Sequence, residues 1–225
     1  MGNYNLTCCS TADLSKKYFE ERDIKVVFFH FSLNGVEYPD DMGESVPPKE
    51  LFNRMNSGEE TKTSQVTVGE YIDFFEPMLK EGKDILHVTL SSGISGTLNS
   101  AQIAQKQLLG MYPERKIYVV DSLGASSGYG LLMDALADKR DEGMGIDDLN
   151  RWAIDNRLRL NHWFYSTDLT FYIRGGRVNK VAGAVGNVLG ICPLLNVDFE
   201  GKLIPREKIR GKKKVMKRNL EMMIE

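Results

Sequence analysis

Seven consecutive residues, Ser91-Ser92-Gly93-Ile94-Ser95-Gly96-Thr97, gather four hydroxyls and two glycines between an apolar run over 85–90 and a helix-like stretch over 100–109. Strand, Gly/Ser-rich turn and helix in that order place backbone N–H groups and hydroxyls at a helix N-terminus. The first four amides of a helix lack internal partners and carry the positive end of its dipole. Such a turn can hold an anion without a basic side chain. A lone serine here needs no role beyond capping its helix. Four hydroxyls exceed what one cap requires, and a second short polar turn, Thr63-Ser64-Gln65, stands beside another helix start.

A nucleophilic role for Ser95 is the competing chemistry. Gly93-Ile94-Ser95-Gly96-Thr97 differs from the G-x-S-x-G elbow at one position, where Thr97 replaces the second glycine. Hydrolysis also needs a base and an orienting acid. His162 is the only histidine downstream, on a strand-like stretch beside Trp163, and His30 and His87 fall within strand-like runs. An acyl hydrolase or acyltransferase using Ser95 stays as the alternative. No H-x-x-H or C-x-x-C pair and no G-x-x-x-x-G-K-[ST] loop occurs, so neither a metal site nor a phosphate loop is expected.

The elements that must position these residues are legible in outline. A helix running to about Glu21, with Ser10, Asp13 and Ser15 as candidate N-caps, follows a short first strand. Residues 25–33 read as one strand that turns at Asn34-Gly35 into a second arm, 36–38. A helix over 49–56 and a polar break at 61–65 precede a helix over 68–79 with apolar period 3.6. After the serine-rich turn come a strand over 116–122, a second Gly/Ser-rich turn at 124–130, and helices over 131–142 and 146–158. Repeated strand–turn–helix units predict a parallel sheet with helices on its faces, and ligands in such sheets bind beyond the carboxyl ends of the strands. The texture changes near residue 160. Beyond it lie a strand at 163–167, a small-residue helix at 181–189, and a hairpin turning at Glu200-Gly201. The reading is a parallel-sheet α/β domain over 1–160 and a smaller α/β domain over 161–225. Met216, Leu220 and Met223 share a helical face that no C-cap closes, which predicts that the second domain is incomplete at its C-terminus.

Bulk properties fit a soluble chain. Hydrophobic residues make up 42% and charged residues 27%, and no run approaches the roughly 20 apolar residues of a membrane span. Three cysteines, two of them adjacent, give no disulfide framework, and the N-terminus lacks a secretory pattern, so a cytosolic location is expected. The formal net charge is −2, yet residues 202–218 hold nine Lys/Arg against one Glu, a local +8. That block is either a solvated face or a docking face for an acidic partner. Nucleic acid fits it less well, because no aromatic residue is interleaved for base stacking.

Four segments in this order and spacing, Ser10-Thr11-Ala12-Asp13-Leu14, Lys62-Thr63-Ser64-Gln65, 91–97 and Gly175-Gly176-Arg177, make the chain resemble the DegV family of fatty-acid-binding proteins. The resemblance implies a two-domain α/β protein that holds one long-chain fatty acid in a tunnel between its domains and needs no cofactor. It implies a carrier, not an enzyme, that presents the acid to a fatty acid kinase for acyl-phosphate formation. By position, the carboxylate ligands fall on Thr63, Ser95 and the Gly96 amide, with Ser64, Gln65 and Thr97 supporting them. Arg177 falls near the tunnel mouth or the kinase contact, and Arg210 in the basic block joins it as a candidate docking residue. The small helix at 181–189 either leaves room for the acyl chain or permits close packing. Two features depart from the family pattern: Cys9 stands where the family has Asp, and no His-Thr-Gly-Pro-Gly-like segment occurs.

Overall fold

Alternation of apolar strands with amphipathic helices produces a doubly wound first half. The computed structural model describes residues 3–179, 190–222 and 224. Strands β1 (Tyr4–Cys9), β2 (Ile24–Val27), β6 (Asp84–Thr89) and β7 (Ile117–Asp121) form a parallel sheet in the order β2-β1-β6-β7. Its strands are nearly continuous hydrophobic runs because both faces are covered. On one face Leu6, Cys8, Leu86, Val88 and Val120 pack against α1 (Lys16–Glu21), α5 (Ser126–Asp141) and α6 (Ile146–Asn156). On the other, Cys9, Val27, Ile85 and Ile117 pack against α3 (Val68–Lys80) and α4 (Thr97–Met111). From β1 the chain steps to β2 on one side, while β6 and β7 lie on the other. The crevice beyond the carboxyl ends of β1 and β6 is therefore the point where strand order reverses, the usual ligand position in such sheets.

A small antiparallel sheet, ordered β4-β3-β5, stands beside this core and consists of β3 (His30–Leu33), β4 (Val36–Pro39) and β5 (Thr61–Ser64). The run over 25–33 is thus two strands in two sheets. The chain breaks at Phe28-Phe29, where Ser10 Oγ accepts the Phe29 N–H at 3.1 Å. Asn34 and Gly35 form the expected turn, both with positive φ (47° and 82°). The polar break at 61–65 is in fact the strand β5, and α2 (Pro48–Asn56) closes over this sheet through Phe31, Leu33, Val46 and Leu51. The second Gly/Ser-rich turn is shorter than its composition suggests, because α5 already starts at Ser126.

A second antiparallel sheet begins at β8 (Trp163–Tyr165), which pairs with β9 (Ile191–Val197), which pairs in turn with β10 (Leu203–Arg210). The short helix α7 (Thr170–Arg174) packs against it with Leu169, Val178 and Leu195. Helix α8 (Lys212–Met222) covers it through Val215 and Met222. On the apolar face of α8 picked out by spacing, Met216 and Leu220 are exposed. The small-residue stretch at 181–189 lies outside the described residues.

Candidate anion-binding turn at the sheet crevice

The 91–97 turn follows β6 directly and lies in the crevice predicted for it. Most of its donors are already in use. Ser91 is fully buried; its hydroxyl donates to the Gly201 carbonyl at 2.7 Å and accepts the Gly93 N–H at 3.1 Å. The Ser91 carbonyl takes the N–H groups of both Ile94 and Ser95, each at 3.1 Å. Asp121 Oδ1 receives the Ser92 N–H at 3.1 Å and the Leu123 N–H at 3.0 Å, tying the turns after β6 and β7 together. Buried Thr97 places its hydroxyl 2.7 Å from the Tyr71 hydroxyl. Of four hydroxyls, two therefore serve the fold.

What remains is concentrated at Ser95 and Gly96. Ser95 Oγ accepts the Thr97 N–H at 3.2 Å, which occupies a lone pair and leaves the Ser95 O–H to donate outward. Among the described residues no acceptor takes the N–H of Gly96 or Leu98. One hydroxyl and two amides at the positive end of the fifteen-residue helix α4 are the donor set an oxyanion needs. A Cβ at Gly96 would sit 2.7 Å from Gln65 Oε1, so a larger residue there would have to move the Gln65 side chain. The Gln65 amide in turn donates to Ser100 Oγ at 3.0 Å. This contact joins the second polar segment to the first. Thr63, two residues back on β5, pairs with Phe31; it is exposed, as is Ser64.

Arg177 reaches the residue that precedes this donor set. Its Nε donates to the Ile94 carbonyl at 3.3 Å, and another guanidinium nitrogen donates to Gly175 O at 2.6 Å. Spacing pointed to Arg177 only through the Gly-Gly-Arg turn; the link to Ile94 spans 83 residues and leaves no local signal. Tyr71, Asp121 and Gly201 were missed for the same reason, their partners being remote in the chain.

A base for Ser95 is missing from its surroundings. His87 is wholly buried, with Nδ1 2.9 Å from Thr7 Oγ1 and Nε2 3.7 Å from Cys9 Sγ, and burial lowers its pKa to about 3. His162 packs its ring on Gly124 and Gly128, and burial lowers its pKa. His30 lies 3.0 Å from Glu70 Oε1. All three histidines of the chain are thus engaged elsewhere. Among the described residues no three His, Cys, Asp or Glu side chains cluster as metal ligands, and no helix is long and apolar enough to cross a membrane.

A cleft of about 420 Å³ opens between the 10–16 segment and the 40–51 segment, over Phe31. Thr63, Ser95 and Gly96 do not line it. On the second sheet, Arg210 ends the edge strand β10 and is exposed, as are Lys208 and Lys212 to Lys214. Within the basic block Lys202 pairs with Glu200 and Arg218 with Glu207.

Comparison with known proteins places this geometry in a family. The model of the family described as "Uncharacterised protein, DegV family" matches residues 7–225. A DegV domain-containing protein of Clostridium perfringens is 36% identical over 208 residues, covering 92% of this chain and 72% of that one. A DegV lipid binding protein from Thermotoga maritima superposes with a TM-score of 0.83 at 29% identity, covering 99% of this chain and 76% of that one. A stearic acid-binding protein from Eubacterium ventriosum gives 0.86 at 27%, covering 98% and 75%. From the serine-rich turn to the second sheet, this chain belongs to the DegV family.

Proposed function

We propose that this protein is a carrier that binds a long-chain fatty acid and holds its carboxylate at the 95–96 turn. The observation that carries the reading is the unclaimed donor set of Ser95 O–H and Gly96 N–H at the start of α4, next to the Arg177 guanidinium. Thr63 on β5 would add a second hydroxyl, from the strand whose neighbour Gln65 bonds Ser100 of α4. Lipid binding by the T. maritima protein and stearic acid binding by the E. ventriosum protein support the same ligand class here. The energetics favour it. Burying about fourteen methylenes yields roughly 11 kcal/mol gross at about 0.8 kcal/mol each. Desolvating the carboxylate costs several kcal/mol, which two or three charge-assisted hydrogen bonds of roughly 1.5–3 kcal/mol each offset. The tail supplies the affinity and the turn supplies the orientation.

The same exposed carboxylate suits phosphoryl transfer by a separate fatty acid kinase. The exposed cations Lys208, Arg210 and Lys213 on β10 and α8 are the candidate contacts for its acidic surface. Ser95 without a histidine neighbour argues against hydrolysis. Native mass spectrometry of the purified protein tests the reading. A bound fatty acid is expected, with retention falling several-fold in Ser95→Ala. No lipid, together with ester turnover that disappears in Ser95→Ala, would overturn it in favour of an enzyme. With a kinase present, Arg210→Glu combined with Lys213→Glu is expected to lower acyl-phosphate formation while lipid binding persists.

A further inference from the structure

A chain of buried polar groups runs from the middle of the parallel sheet to the first residue of α4, and no binding step described above uses it. Thr7 Oγ1 lies 3.4 Å from the Leu86 carbonyl and 2.9 Å from His87 Nδ1. His87 Nε2 lies 3.7 Å from Cys9 Sγ, Cys9 Sγ lies 3.4 Å from the Tyr71 hydroxyl, and that hydroxyl lies 2.7 Å from Thr97 Oγ1. Thr7, His87, Cys9, Tyr71 and Thr97 are all fully buried.

Each hydroxyl, thiol and neutral imidazole in this chain has one hydrogen to give, so the chain runs in one of two senses. In both senses Thr97 is bonded through its hydroxyl to Tyr71. The Thr97 backbone N–H points to Ser95 Oγ. Two features show that this is more than core packing. Tyr71 bridges the last residue of β1 and the first residue of α4, a strand end and a helix start that border the crevice. Its ring cannot drift, being held by Phe75 at 5.4 Å and by His87, edge-on at 5.2 Å.

We propose that Tyr71 is a positioning residue for the anion site: through Thr97 it fixes the N–H that holds Ser95 Oγ, and so sets the direction in which the Ser95 hydroxyl donates. The proposal rests on the fatty-acid reading above only for the identity of the anion. Cys9 Sγ is the second hydrogen-bond partner of the Tyr71 hydroxyl.

The test is a cycle of variants read in two ways. Oleate affinity is measured for the wild type, Tyr71→Phe, Ser95→Ala and the double variant, at a temperature where all are folded. Exchange of the Thr97 amide proton is followed by NMR without ligand. Tyr71→Phe is expected to weaken oleate binding about five-fold, the scale of one hydrogen bond. On the Ser95→Ala background it is expected to add nothing, and Thr97 amide exchange should quicken. Equal affinity of Tyr71→Phe and wild type, or an equal loss with and without Ser95, would overturn the proposal and leave Tyr71 as packing. Should wild type bind no oleate, the ligand reading fails alone. The amide exchange then decides, unchanged protection in Tyr71→Phe refuting the positioning and faster exchange supporting it. Should Tyr71→Phe not fold, Thr97→Val reads the same link from its other end, with the same outcomes.

Discussion

Gly201→Ala offers a quantitative check on how the second sheet meets the serine-rich turn. Gly201 has φ +73°, and a Cβ there would lie 1.9 Å from Ser91 Oγ, 3.1 Å from Ser91 Cβ and 3.2 Å from Leu123 Cα. The left-handed backbone alone costs an alanine about 1–2 kcal/mol. Relief of the collision requires Ser91 Oγ to rotate, which breaks its bonds to the Gly201 carbonyl and the Gly93 N–H. With Ser91 fully buried, those two losses add about 1 kcal/mol each. The sum is about 3–4 kcal/mol. For a chain of this size each kcal/mol corresponds to about 2–4 °C, so Tm should fall by roughly 6–16 °C. Thermal unfolding followed by circular dichroism measures it. The double variant Ser91→Ala/Gly201→Ala separates the causes, because removing Oγ removes the collision. It should be less destabilised than the sum of the single variants. An unchanged Tm for Gly201→Ala, or strict additivity in the double variant, would refute the contact.

Two further outcomes follow from local chemistry. His87 is held near pKa 3 by burial, well under its unfolded value of about 6.5, so the unfolded chain binds the extra proton first. Its contribution to stability is complete above about pH 6.5 and is lost as pH falls from there toward 3. Side-chain NMR should show a neutral His87 ring at pH 5, and a ring titrating near 6.5 would contradict its burial. Thr67 and Glu70 form a capping box at the start of α3, Thr67 Oγ1 accepting the Glu70 N–H at 3.3 Å and Glu70 Oε2 accepting the Thr67 N–H at 2.7 Å. Thr67→Ala should cost about 1 kcal/mol, a Tm loss of about 2–4 °C, and no measurable loss would mean that the cap is idle.

How legible the molecule was from its residues depends on how local each signal is. Helix α3 could be read because Tyr71, Phe75, Met78 and Leu79 repeat at its period. The crevice position of the serine-rich turn followed from the order strand, turn, helix alone. The division of 25–33 between two sheets could not be read, since an apolar run keeps the same texture when it changes partners at Phe28-Phe29. Strand β5 was hidden because it is short, polar and exposed, and is held by pairing with β3 rather than by burial. The start of α5 was masked by Gly124 and Gly128, whose lack of side chains makes room for His162, a residue more than thirty positions away. At the serine-rich turn, composition counted four hydroxyls. It could not show that Ser91 and Thr97 are consumed by Gly201 and Tyr71, because those partners lie 110 and 26 residues distant.

The hairpin tip at Glu200-Gly201 does more than clasp Ser91. Its two carbonyl oxygens abut Gly93, within 2.6 Å of where a Cβ would stand. The loop after β6 is therefore electrically lopsided, with carbonyl lone pairs crowding its leading half and bare amide hydrogens lying along its trailing half. A negatively charged guest is repelled from the first and drawn to the second, so it can settle in one register only.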